Sequence, residues 1–155
     1  MAITQAVCSS FKKELLDGDH SFKQTGGDTF KLALYTSSAT LNANTATYST
    51  NPGGGSNTEV ANSGTYSAGG KALVNTGTSV ASAVAITNFS NLSFTGVTIT
   101  ARGALIYNTT MGAGSGTTDA VVVLDFGSDK TATSGTFTIQ FPAFTTAAAI
   151  LRISG

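Results

Sequence analysis

The sequence predicts an all-β domain, an antiparallel β-sandwich of jelly-roll type with one short N-terminal α-helix. Three observations carry that prediction. Eight or so short runs alternate apolar with polar residues or are rich in β-branched ones, and glycine-rich turns separate them. Only residues 6–17 have the spacing of an amphipathic helix. No βαβ rhythm is present, which removes the parallel-sheet folds.

In the front segment, Val7, Phe11 and Leu15 recur every four residues, Leu16 widens the stripe, and Lys12, Lys13 and Glu14 take the opposite side. Gly18 stands where a glycine cap ends a helix. So short a helix is marginal alone and must dock, either on the domain's own sheet or partly on a neighbouring subunit. Residues 28–35 follow, with Phe30, Leu32 and Leu34 alternating as in a half-buried strand. Residues 36–65 read as a long polar loop anchored by Leu41, Tyr48 and Val60. Such a length without regular structure is uncommon in a compact domain, so it is expected to stay mobile or to be ordered by a partner.

Strand character resumes at residues 72–74 and again over 79–89, where Val80, Val84, Ile86 and Phe89 are the apolar members. Residues 92–99 alternate until Gly96, where the phase slips as at a β-bulge. The most hydrophobic neighbouring runs, 102–108 and 120–126, are predicted as the sheet centre, joined by the connector 109–118. Gly127-Ser128-Asp129 reads as a turn, Phe137, Ile139 and Phe141 as the inward side of a strand closed by Pro142, and residues 147–153 as the last strand.

The 155 residues fit one domain, 1–155, made of an N-terminal helical arm (1–22), the loop 36–65 and the sandwich around them. Charged residues are only 10% of the chain, and eight basic and eight acidic side chains cancel. Without clustered cations there is no footprint for nucleic acid, and a net charge of zero favours association. The single cysteine, Cys8, excludes an internal disulfide and fits a reducing compartment. Residues 1–5 have neither a basic nor an apolar leader region and no run reaches the length of a membrane span, so synthesis in a cytoplasm and no membrane partner are expected.

Chemistry is sparse. His20 is the only histidine, so a nucleophile–histidine pair has little to draw on. Cys8 is expected to be a buried, inert thiol. Asp17, Asp19 and His20 fall short of a zinc or calcium ligand set. Asp119, Asp125 and Asp129 could be weighed as paired carboxylates for glycoside chemistry, but turn aspartates are common for conformational reasons. The glycine stretches 53–56 and 112–116 lack the Lys and Ser/Thr of a phosphate loop. The Asn-X-Ser/Thr triplets at Asn88, Asn91 and Asn108 match glycosylation acceptors only formally. No enzyme activity, cofactor or metal is expected.

Several stretches resemble a family of small virion structural proteins of tailed bacteriophages. They are Ser10-Phe11-Lys12-Lys13-Glu14-Leu15-Leu16, residues 27–40 and 66–73, Thr100-Ala101-Arg102-Gly103-Ala104-Leu105-Ile106-Tyr107-Asn108, Val123-Leu124-Asp125-Phe126-Gly127 and Phe137-Thr138-Ile139-Gln140-Phe141-Pro142. The insert at 53–56 and the segment 88–91 depart from the family's pattern. The resemblance implies a particle component, most like a capsid decoration, or cement, protein that binds the phage major capsid protein as a homotrimer on the virion surface. The residues expected at such an interface are Phe11, Lys12, Leu15 and Leu16 on the helix and Tyr48 in the loop. Two other readings are a tail or neck component (tail tube, baseplate or fibre-associated) and a virion-surface glycan-binding module, for which Tyr35, Tyr48 and Tyr66 are the exposed aromatic candidates.

Overall fold

The computed structural model describes residues 2–110 and 118–155 and shows two antiparallel sheets with one short helix. The larger sheet has the strand order β1-β7-β6-β2-β3, formed by β1 (Ala6–Val7), β2 (Phe30–Tyr35), β3 (Lys71–Ala72), β6 (Leu92–Asn108) and β7 (Asp119–Ile139). The smaller has the order β4-β5-β8, from β4 (Asn75–Ala81), β5 (Val84–Phe89) and β8 (Leu151–Ser154). The helix α1 spans Ser9–Asp17. The predicted 109–118 connector lies largely outside the described residues.

The expected centre is the centre. Leu105 pairs with Val123 and Ile106 with Val122, and all four side chains are buried. β6 and β7 are, however, far longer than the sequence runs suggest, because two expected interruptions are bulges within continuous strands. Gly96 is one of them: Phe94 pairs with Phe137 and Val97 with Gly135, which leaves one extra residue in β6. Gly127-Ser128-Asp129 is the other. Ala101 pairs with Lys130 and Gly103 with Asp125, so the expected turn is a wide bulge that leaves the strand direction unchanged. Gly127 makes it possible with φ 78°, a conformation costly for any residue with a Cβ.

Conversely, residues 79–89 are not one strand. Ala81 pairs with Val84 across a two-residue hairpin, with φ of 50° at Ser82 and 61° at Ala83. Left-handed conformation at both central residues matches the twist of the flanking strands. The predicted helix is also shorter at its front. Ala6 and Val7 pair with Val123 and Val122, and the Cys8 N–H donates to the Val121 carbonyl at 2.9 Å. Adding an edge strand satisfies these backbone groups, and the helix starts after Cys8. At its other end Gly18 takes φ 84°, with capping bonds to the carbonyls of Glu14 and Leu15.

The core is one cluster in which aromatic rings do much of the filling. Phe22 stacks on Phe30 at 4.5 Å between centroids, Phe11 meets Phe22 edge-on at 5.9 Å, and Phe89 from the small sheet packs on both Phe22 and Phe30. Each such side chain contributes about 1.5–3 kcal/mol on burial. β2 is buried on both faces, not half-buried, because the 36–65 region covers it.

That region is ordered by the chain itself. The Val60 N–H donates to the Leu34 carbonyl at 2.9 Å, and Glu59 bridges to Tyr35, closing the β2 edge beyond the short β3. Leu41, Val60 and Tyr66 are buried, and the Tyr35 hydroxyl donates to the Ser49 carbonyl at 2.7 Å. The expectation that the segment needs a partner or stays mobile is thereby corrected: its few large side chains reach the core, and its polar ones bond to one another.

Candidate interaction surface

The helix is fixed to the body through its buried side. Phe11 packs on His20 with ring centroids 4.9 Å apart. His20 Nε2 lies 2.8 Å from Glu14 Oε2, and its Nδ1 lies 3.0 Å from Asn108 Nδ2, which also donates to Asp28 Oδ2 at 2.7 Å. A chain of polar contacts therefore runs from α1 through His20 to the end of β6 and the loop before β2. With Phe11 buried, Lys12 and Leu15 face a cleft between α1 and the small sheet.

The other wall of that cleft is set by strand register. Thr78, Thr87 and Leu151 form one cross-strand row of the small sheet, and Val80, Ala85 and Ile153 form the next row on the same face. The first row is covered except at its β4 end: Thr87 and Leu151 are buried and Thr78 is exposed. The second overhangs beyond the helix, leaving Val80 70% and Ile153 60% exposed. The cleft between the two walls has a volume of about 290 Å³ and an almost wholly apolar lining that includes Phe22, with Lys12 as the charged side chain of its helical wall. Arg152, between Leu151 and Ile153 on β8, alternates to the opposite face, where it donates to the Thr146 and Ala147 carbonyls. Leu16, one helical turn beyond Lys12, is 90% exposed.

Four of the five residues expected at an interface thus gather on one side of the molecule, in different roles. Phe11 belongs to the core and shapes the cleft floor. Lys12 and Leu15 line the cleft, and Leu16 stands clear of the body rather than widening the buried stripe. Tyr48 lies elsewhere. Its ring stacks on Tyr107 at 4.6 Å, and its hydroxyl donates to Glu59 Oε2 at 2.7 Å.

Glu59, isolated in the sequence, is the acceptor at the hub of a buried network. Besides Tyr48 it takes the Tyr66 hydroxyl at 2.8 Å and the Gly69 N–H at 2.6 Å. Tyr107 completes the group by donating to the Gly69 carbonyl at 2.6 Å. All four phenols are pushed above their ordinary range, first by burial and then by the Glu59 charge, Tyr107 to about 12. Tyr35 and Tyr66 are fully buried, which corrects their reading as exposed aromatic candidates.

The carboxylates weighed for glycoside chemistry are held structurally. Arg102 Nε donates to Asp125 Oδ1 at 3.0 Å, and the Gly127 N–H donates to the same oxygen at 2.9 Å. The Gly127 bond first, and then Arg102, holds the Asp125 carboxyl below the usual carboxylate range. Asp119 is buried at the start of β7 opposite Asn108. Asp17 pairs with Lys13 along the helix. Cys8 is buried under α1, and its thiol is pushed up to about 11, chiefly by burial, so it stays protonated at neutral pH. Among the described residues no three His, Cys, Asp or Glu side chains are grouped to hold a metal ion, and no helix is long and apolar enough to cross a membrane.

A second, more open groove of about 730 Å³ runs along β7 beneath residues 142–152, lined by Gln5, Phe126, Phe137 and Phe141 among others. It mixes polar and apolar groups and contains the Arg102-bound Asp125. Of the two, the cleft beside α1 has the apolar character of an association surface. Compared with family models, curated proteins and solved structures, the chain matches none.

Proposed function

We propose that this protein is a bacteriophage virion component, a capsid decoration protein that docks on the major capsid protein and reinforces the shell. The reading joins the family resemblance of residues 10–16, 27–40, 66–73, 100–108, 123–127 and 137–142 to one structural observation. An apolar cleft lies between α1 and the small sheet, with Ile153 exposed in its lining and Leu16 and Val80 exposed elsewhere on the same helix and sheet, in a chain of zero formal charge. Apolar side chains left exposed beside an apolar cleft are a feature of association surfaces on soluble proteins.

The mechanism is mechanical rather than chemical. Each copy buries a modest apolar patch against a shell junction, and repetition over a symmetric particle multiplies the effect. A homotrimer fits the local threefold junctions such shells present. Synthesis takes place in the host cytoplasm, before the protein joins the particle. A tail or neck component would use the same surface in a ring instead.

Purified protein added to shells assembled without it tests the proposal. Co-sedimentation, with electron-microscopic density on the outer surface at subunit junctions, is the expected result. Absence of binding, or density confined to the tail, overturns it.

A further inference from the structure

We propose that His20 and Asn108 form a proton-operated tie between α1, with the turn that follows it, and the end of β6. The tie is closed while Nδ1 of the ring is bare and is released when Nδ1 takes a proton. The device rests on contacts within the chain and is independent of what the protein docks on.

The bonds around the ring set the rule. Asn108 gives amide hydrogens to His20 Nδ1 at 3.0 Å and to Asp28 Oδ2 at 2.7 Å. Its carbonyl oxygen accepts the Thr110 N–H at 2.8 Å, so turning the amide over breaks all three bonds. Turnover would also point that oxygen at the Asp28 carboxylate. The lone pair of Nδ1 therefore serves Asn108 or a proton, not both. On the other side of the ring, Nε2 lies 2.8 Å from Glu14 Oε2, a contact that strengthens when the ring is charged.

These two sides belong to different parts of the fold. Glu14 and His20 sit on one piece of chain, closed on itself by the Asp19 N–H on the Glu14 carbonyl at 2.9 Å. Asn108 ends β6. A second proton thus tightens α1 onto its own turn and undoes the polar link to the sheet. Asp28 is the acceptor that takes the place of Asn108, and the Ser21 N–H already ties it to the same turn at 2.9 Å. The released state is a cation between two carboxylates, carried by the arm and disconnected from β6. Phe11 and Phe22 keep their ring contacts to each other and to Phe30, so α1 loosens without the domain unfolding.

The surroundings suit such a device. The ring has no exposed surface, and Phe11 and Phe30 pack on it with centroids 4.9 and 6.4 Å away. Glu14 and Asp28 are the charged groups bonded to the network, and buried Asp119 of β7 lies opposite Asn108 in register. A fixed tie needs no titrating group. Histidine, whose ordinary titration falls in the weakly acid range, makes this one respond to pH.

The test uses the full chain. Long-range nitrogen–proton spectra of His20, the Asn108 side-chain amide signals and hydrogen exchange are followed from about pH 7.5 to about pH 5. As Nδ1 takes its proton, the Asn108 signals should shift in step. Exchange of the α1 amides, corrected for its intrinsic pH dependence, should quicken at least about tenfold relative to β7. His20→Gln, which keeps a donor and an acceptor but does not titrate, should show no such change.

Proton uptake that leaves Asn108 and α1 unmoved overturns the proposal. So does a ring that stays singly protonated until the whole chain unfolds, and so does loosening of α1 that His20→Gln shares. Should His20→Gln fail to fold, Asp28→Asn replaces it. That variant keeps an acceptor for Ser21 but offers Nδ1–H no carboxylate, so loosening should move to lower pH; loosening at an unchanged pH overturns the tie.

Discussion

The side-chain amide of Asn108 donates to Nδ1 of His20 across 3.0 Å while its own carbonyl oxygen accepts the Thr110 N–H at 2.8 Å. The second bond fixes which end of the amide faces the ring, and the first then requires Nδ1 to be an acceptor. The ring proton is thereby assigned to Nε2, where it is donated to Glu14.

A nitrogen-detected NMR spectrum of the single histidine should show the ring proton on Nε2 and none on Nδ1. Asn108→Ala, which leaves Nδ1 and Asp28 without their buried donor, should destabilise the protein by about 1–3 kcal/mol in urea unfolding. A protonated Nδ1 in the native spectrum would show that the network is wired differently.

Glu59→Ala removes the common acceptor of Tyr48, Tyr66 and the Gly69 N–H. Orphaned buried donors cost about 1–3 kcal/mol each, so a loss of about 3 kcal/mol or more is expected. Hydrogen exchange should quicken across residues 48–70 more than in β6 or β7. Uniform exchange changes would mean that the network does not organise this region.

The alkaline limb of stability should be set by the four tyrosines. Their folded-state values are raised, so the native state holds phenolic protons that the unfolded chain gives up near pH 10. Stability is therefore fully present below pH 10 and falls as the pH climbs towards and past 12. The ultraviolet phenolate band should stay small at about pH 10.5, near the free-phenol range, and rise together with unfolding. A normal phenol titration in the folded protein would contradict this.

Two glycines should respond to alanine for different reasons. At Gly103 a Cβ would come 2.9 Å from Ile3 Cγ2 and closer still to the Leu124 carbonyl oxygen, so Gly103→Ala should cost about 1–3 kcal/mol through overpacking. At Gly127 there is open space around a Cβ but φ is 78°, so the cost should be about 1–2 kcal/mol and purely conformational. Gly127→Asn should recover much of that loss, since asparagine tolerates this region, whereas Gly103→Asn should be worse than alanine.

What was legible in the sequence followed from burial. The runs 102–108 and 120–126 sit at the sheet centre because few other segments are apolar enough to be covered on both sides. The Gly127-Ser128-Asp129 bulge was not separable from a turn, since both need the same small, turn-forming residues and only the partner strand decides. The hairpin at Ser82 and Ala83 gave no signal, because neither residue is one that left-handed turns favour. Glu59 looked solitary because its partners lie 7 to 11 residues away and meet it only once the segment folds back on β2. On α1 the periodicity marked the right face, but it could not tell that the covered stripe stops at Leu15 and leaves Leu16 outside.

The continuity of β6 with β7 has a consequence for load. Only the Gly103–Asn108 end of β6 is flanked by β2; from Leu92 to Ala101 β6 and β7 pair as a two-stranded ribbon leading towards the small sheet. Ser63 and Thr65 are bonded to β6 there, at Thr98 and Thr95. A tug on the cleft, transmitted through β5 and the tight link at Ser90 and Asn91, would reach the body along the axis of this ribbon. Cross-strand bonds pulled lengthwise yield together, not one after another. The geometry resists a pull along the strands better than one that peels them apart.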